Sequence, residues 1–195
     1  DQCKQCEIYY RETNSLKAIQ NIVNGHYNMG IIRYQSSFEN YFKALLLEKG
    51  LKYETISEFS YVALMSQKHP LAHQETVTTD ELEPFVEIAH ADPYVPSLSM
   101  LEVKKAELPD SIKRRIYVYE RASQFTLLET MPTTYMWGSP IPKELLERYG
   151  LIELKTLVNP KRYKDVLIYP KDYRLTPLDK TFLNELIKEK RMTIV

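Results

Sequence analysis

Short apolar runs alternate with capped, amphipathic helical stretches, and this alternation constrains the chain more than any other feature. Ile8-Tyr9-Tyr10, within Glu7 to Arg11, is rich in strand formers. Thr13-Asn14-Ser15 then supplies an N-cap for a helix bearing Leu16, Ile19 and Val23, which Asn24-Gly25 closes in left-handed fashion. Met29 to Tyr34 reads as a buried strand. Ser36-x-x-Glu39 predicts a capping box opening a helix with Phe38, Tyr41, Phe42, Leu45 and Leu46, and Gly50 ends it. Strand–helix–strand–helix order is the pattern of parallel-sheet α/β structure.

The same logic continues downstream. Tyr61 to Met65 predicts a strand, followed by the turn Lys68-His69-Pro70. Thr78-x-x-Glu81 caps a short helix that Pro84 stops, and Phe85 to Ala89 is a strand. Asp92-Pro93 leads into a helix around Ser99 to Ala106. Arg115 to Tyr119 alternates like a strand, Ser123 caps a helix to about Glu129, and Tyr135-Met136-Trp137 is another short strand. Pro142 suits a first helical position and Gly150 a helix end. Lys164 to Tyr169 is the last strand. Thr176-Pro177 opens a final helix with the stripe Leu178, Phe182, Leu183, Leu186 and Ile187.

Composition narrows the function classes. The 195 residues suffice for one large domain or two small lobes, and 44% hydrophobic content is enough to offset chain entropy. Lys and Arg number 26 against 26 Asp and Glu, so the chain lacks the basic excess of a self-sufficient nucleic-acid binder. No apolar run is long enough to span a bilayer, and no basic-then-apolar leader follows Asp1, so the chain shows no secretion signal. Cys3 and Cys6 are too few for a disulfide scaffold, so a reducing cytoplasm is the expectation. Their spacing could be half a zinc site, but the only matching pair, His69 and His73, is about sixty residues away and interrupted by Pro70. No metal site is expected.

No catalytic motif emerges. There is no glycine-rich phosphate loop, no Gly-x-Ser-x-Gly elbow and no His-Glu-x-x-His. His26 sits beside a helix end, where a surface role is expected. His90 follows a strand and could face a cleft, but no nucleophile or acid is spaced beside it. A non-enzymatic protein without a cofactor is the expectation.

At this point the residues carry a resemblance. Glu12-Thr-Asn-Ser-Leu-Lys-Ala-Ile-Gln20 followed by Tyr27-Asn-Met-Gly-Ile-Ile-Arg33 resembles the second strand, second helix and third strand of LysR-type transcriptional regulators. Tyr61 to Ala72, with its His69-Pro70-Leu71-Ala72 turn, is similar to that family's crossover strand, and it leads likewise into Val77-Thr-Thr-Asp-Glu-Leu82. Leu175-Thr-Pro-Leu-Asp-Lys-Thr-Phe182 resembles the family's last helix.

The resemblance implies an effector-binding domain with the two-lobed type 2 periplasmic-binding-protein fold. Residues 1–58 and 167–195 would form the first lobe and 59–166 the second, with crossings near Glu58–Tyr61 and Tyr163–Leu167. The first lobe would begin at its second strand, the family's first strand and helix preceding Asp1. DNA would be reached only through a winged helix-turn-helix outside this chain, in a homo-oligomeric regulator, with no membrane partner. A solute-binding protein of a transporter shares the fold and is the alternative.

In open α/β sheets ligands sit beyond the carboxyl ends of strands, where helix N-termini present free N–H groups. Those positions are Thr13, Asn14, Ser15, Arg33, Tyr34, His90, Asp92, Tyr94, Arg121, Ser123, Trp137 and Ser139. A small molecule, most simply a carboxylate held by the Arg33 fork, is the expected effector. The competing readings are helix capping for the Ser and Asn residues, an ion pair for Arg33 and Arg121, and core packing for Tyr34 and Trp137.

Overall fold

The computed structural model describes residues 7–91, 113–119, 123–156 and 161–193. The predicted helix at Ser99 to Ala106, the Cys3–Cys6 pair, and the candidate residues Asp92, Tyr94 and Arg121 lie outside the described residues. Two sheets organise the rest. A three-stranded sheet has the order β1-β9-β2, from Gly30–Gln35 (β1), Leu51–Ser60 (β2) and Arg162–Pro170 (β9). A six-stranded sheet has the order β4-β8-β3-β7-β5-β6. Its strands are Val62–Ser66 (β3), Thr76–Val77 (β4), Val86–His90 (β5), Arg115–Val118 (β6), Thr134–Gly138 (β7) and Leu151–Thr156 (β8).

The first sheet departs from the parallel arrangement expected. Ile8-Tyr9-Tyr10 forms no strand, and its side chains are 74%, 77% and 80% exposed. β1 pairs with β9 instead, antiparallel, Ile32 opposite Val166 and Arg33 opposite Asp165. β9 returns from the second sheet and inserts between β1 and β2, and both of its ladders are antiparallel. In the second sheet β5 runs parallel to β6 and β7, while β3 runs antiparallel to β7 and β8.

Burial follows strand periodicity. Val166 and Ile168 face α1 (Ser15–Val23) and α2 (Glu39–Glu48), in a core with Ile19, Ile22, Ile32, Phe42 and Leu46. Leu167 and Tyr169 point the other way, onto Leu183 of α6 (Pro177–Thr193). The last helix thus packs on the first sheet. β9 is covered on both faces, which is why it reads as a near-continuous apolar run. β3 does the same for the second sheet: Ala63 and Met65 join one cluster, Val62 and Leu64 the other. Each fully buried Val, Leu, Ile, Phe or Met in these clusters contributes about 1.5–3 kcal/mol relative to exposure.

Several local signals act as the sequence indicates. Asn14 caps α1 by accepting from the Lys17 N–H. Thr78 and Glu81 form the capping box of α3 (Thr79–Leu82). Gly150 ends α5 (Lys143–Tyr149) at φ +57, a conformation that favours glycine. Others do not. Ser36 makes no cap; Ser36–Phe38 is a 3-10 turn, and Glu39 is drawn away by Lys43 and Lys164. Ser123 makes no side-chain cap for α4 (Gln124–Thr130), and Pro142 is the residue before α5 rather than its first.

Candidate functional site

A cavity of about 1040 Å3 opens between the two sheets. Thr13, Asn14, Ser15, Arg33, Tyr34, His90 and Trp137 line it, so the carboxyl ends of β1, β5 and β7 and the start of α1 converge. Ser123 and Ser139 do not line it.

The lining residues have specific commitments. Ser15 donates to the Arg33 carbonyl at 2.6 Å and accepts from the Arg33 N–H at 3.2 Å, so its hydroxyl closes the outer edge of β1 at that point. Tyr34 is 5% exposed and stacks on Phe42 at 4.4 Å, which makes it chiefly a core residue. Its burial pushes the phenol up to about 12. Trp137 meets Tyr135 edge-on, and His90 Nδ1 lies 3.1 Å from the amide nitrogen of the buried Gln124.

Arg33 is the clearest revision. Its fork is bidentate on Asp165, Nε to Oδ1 at 2.7 Å and Nη2 to Oδ2 at 2.9 Å, so the ion-pair reading of this residue holds. Lys190, reaching in from α6, adds a second cation to the same carboxylate at 3.0 Å. Both cations also lie over the Phe59 ring, at 4.7 and 5.4 Å. Burial works against the charged forms of both partners. The mutual bonds prevail: Arg33 is raised and Asp165 is held below the usual carboxylate range. Asp165 is buried, and Arg33 and Lys190 remain partly accessible from the cavity they line. Two cations thus meet one carboxylate at this point of the wall.

Tyr61 and Tyr163 add an aromatic stack, 3.8 Å between centroids, where the chain passes between the sheets. On the opposite wall Glu87 is 2% exposed and bonded to Arg115 Nε at 2.7 Å. Burial raises its carboxyl despite that partner. Asp165, Lys190, Tyr61, Tyr163 and Glu87 were not anticipated as site residues. Asp165 carried a signal: it is the lone carboxylate in the run Lys164-Asp-Val-Leu-Ile-Tyr169. Among the described residues no cluster of three His, Cys, Asp or Glu side chains is placed to hold a metal ion, and no helix is long and apolar enough to cross a membrane.

No family model and no curated protein matches the sequence. Solved structures match over nearly all of it. The effector-binding domain of QuiR in complex with shikimate superposes with TM-score 0.60 at 16% identity, covering 94% of this chain and 81% of that one. The Synechocystis CcmR regulatory domain in complex with 2-PG gives 0.55 at 16% identity, over 93% and 80%. HinK, a LysR family transcriptional regulator from Pseudomonas aeruginosa, gives 0.59 at 14% identity, over 92% of this chain and 58% of its own. The chain thus spans less than two thirds of the HinK chain. It has the fold of LysR-family effector-binding domains, the periplasmic-binding-protein-like α/β architecture that the family resemblance implied.

Proposed function

We propose that the chain is the ligand-sensing domain of a LysR-type bacterial transcriptional regulator, and that it holds a small anion between its two sheets. The observation that carries this reading is the 1040 Å3 cavity lined from both sheets, in a fold whose solved examples hold shikimate and 2-PG. In this reading each sheet is the core of one lobe. The boundaries then lie near Ser60 and Arg162 rather than at 58 and 166, because Phe59 and Ser60 of β2 pair with Tyr163 and Arg162 of β9 inside the first sheet. Ligand bound between the lobes biases their relative position, and that bias is the signal.

The anion reading is supported by one local cluster, although the lining as a whole holds four Lys and Arg against five Asp and Glu. Arg33 and Lys190 outweigh Asp165 by one unit, at the edge of a cavity with aromatic Tyr61, Tyr163 and Trp137 around it. The Arg33 fork is engaged by Asp165, so Lys190 and the accessible side of Arg33 act together on the ligand. In this reading the domain senses rather than catalyses: among the described residues the lining Glu87 is bonded to Arg115 and the lining His90 to Gln124. It acts in the cytoplasm as part of a homo-oligomer, and contacts DNA through a winged helix-turn-helix domain.

Calorimetry with a panel of small carboxylates and their uncharged amides tests this. Carboxylates should bind and amides should not. Lys190→Met should weaken carboxylate binding roughly tenfold to a hundredfold, the worth of about 1.5–3 kcal/mol for one charged hydrogen bond. Arg33 still pairs with Asp165 in that variant, so the fold is retained. Equal affinity for acid and amide overturns the anion assignment, and failure of every small molecule to bind overturns the sensing role.

A further inference from the structure

Glu87 and Tyr135 are neighbours in the second sheet, and each keeps an unfilled hydrogen-bonding position. Glu87 of β5 stands opposite Tyr135 of β7 on one side and Arg115 of β6 on the other. Paired residues share a face, so the three side chains form a row at strand spacings of about 4.8 Å. The Glu87 carboxylate accepts one hydrogen bond among the described residues, from Arg115 Nε onto Oε2, which leaves Oε1 without a donor. Tyr135 is fully buried, and its hydroxyl has no partner among them. Burial, and then the Glu87 charge, push that phenol above its usual range. Polar groups unpaired in a core are costly, and two of them side by side with opposite needs point to a missing third group.

The row meets the cavity at Glu87, which lines it. Trp137, two residues along β7 and on the same face, lines it too and meets the Tyr135 ring edge-on at 6.0 Å. A phenol O–H needs an acceptor and a carboxylate oxygen needs a donor. One hydroxyl supplies both, its oxygen accepting from Tyr135 and its hydrogen going to Glu87. An ammonium serves the carboxylate but leaves the phenol hydrogen without an acceptor. A carbonyl or ether serves the phenol but offers Glu87 nothing.

We propose that Glu87 and Tyr135 form a hydroxyl subsite in the second-sheet wall, and that the effector is a small hydroxy acid. Its carboxylate meets the Arg33–Lys190 cluster, and its hydroxyl lies between Glu87 Oε1 and the Tyr135 phenol. This rests on the anion-sensing reading above and adds the second recognised group. Arg115 is the positioning residue: by holding Oε2 at 2.7 Å it directs Oε1 to the ligand. A hydroxy acid touches both sheets, so its affinity depends on how the two stand to each other, as a signal requires. The corresponding deoxy acid is held by the first sheet alone.

Calorimetry of the 195-residue chain with two matched series tests this: malate, succinate and aspartate, then lactate, propionate and alanine. In each series that binds, the hydroxy acid should bind at least about tenfold more tightly than its deoxy and amino counterparts. Tyr135→Phe removes only the unpartnered hydroxyl. It should bring the affinity for malate down toward that for succinate, while the urea midpoint of the ligand-free chain holds or rises. Carboxylates that bind without hydroxyl preference overturn the subsite and leave the anion reading standing; no binding by any of the six overturns both. An amino acid that binds more tightly than its hydroxy acid assigns Glu87 to an ammonium and overturns the proposal. So does a Tyr135→Phe chain that keeps the preference, or one that loses stability without ligand, since the phenol then serves a resident water.

Discussion

Tyr61 and Tyr163 lie face to face, ring centroids 3.8 Å apart and planes within 6° of parallel. Tyr61 links β2 to β3, and Tyr163 stands at the start of β9, so the stack joins the two points where the chain moves between sheets. Phe59 extends it, 6.2 Å from Tyr61 and 6.4 Å from Tyr163. Such pairs are worth about 0.5–1.5 kcal/mol beyond their buried area. A double-mutant cycle with Tyr61→Leu and Tyr163→Leu, read by urea unfolding, should return a coupling energy in that range. Additive losses would show that the rings only fill space.

Asp165 is shared by two cations from different elements, and removing its charge takes the carboxylate partner from both. Asp165→Asn should cost about 3–5 kcal/mol, as for other buried pairs broken on one side. Chemical denaturation measures it. Arg33→Ala should also destabilise, since the carboxylate then keeps only Lys190. A variant at Arg33 that lost ligand affinity with unchanged stability would assign its guanidinium to the ligand rather than to the fold.

Stability should fall in two stages on acidification. Burial pushes His69, which is 3% exposed, down to about 4 from an ordinary 6.5. A depressed histidine takes up its proton more readily in the unfolded chain. Its contribution is complete above pH about 6.5 and is lost as pH falls toward 4, by about 3 kcal/mol in all. Asp165 is depressed as well, but as a carboxylate. Its contribution is present above about 3.9 and disappears at still lower pH. His69→Asn keeps an acceptor for the Leu71 N–H and should flatten the curve between pH 6.5 and 4 without touching the lower limb. Urea midpoints across pH decide it.

Ser15→Ala removes the hydroxyl that serves both main-chain groups of Arg33. The cost should be about 1–2 kcal/mol, because a partly buried N–H and C=O lose their partner together. Exchange at the Arg33 amide should quicken more than exchange at Ile32, which faces the β9 ladder.

What could be read from the sequence is what depends on neighbours a few residues apart. The Asn14 cap, the Thr78–Glu81 capping box, the left-handed Gly150 and the apolar period of α1 involve partners within four residues, and each is legible there. Motif order along the chain was enough to indicate the α/β fold. Local preference also misled: Ile8-Tyr9-Tyr10 has the side chains of a strand, yet a strand exists only where another backbone offers its hydrogen bonds. β2 and β8 were missed for the converse reason. Their mixed sequences, Leu51–Ser60 and Leu151–Thr156, carry little intrinsic signal and are strands because β9 and β3 lie beside them.

The candidate site divides in the same way. Strand ends and helix starts located its lining at Asn14, Ser15, Arg33, His90 and Trp137, because ladder direction and caps are local properties. Whether a group in that lining is committed or accessible is decided by residues far along the chain. Arg33 meets Asp165 across 132 positions, and Lys190 arrives on the last helix only after β9 has inserted beside β1. Charge pairing depends on distance in space, and no period in the sequence encodes it. The composition made the chain neutral overall; only tertiary packing gathered two cations around one carboxylate at the cavity wall.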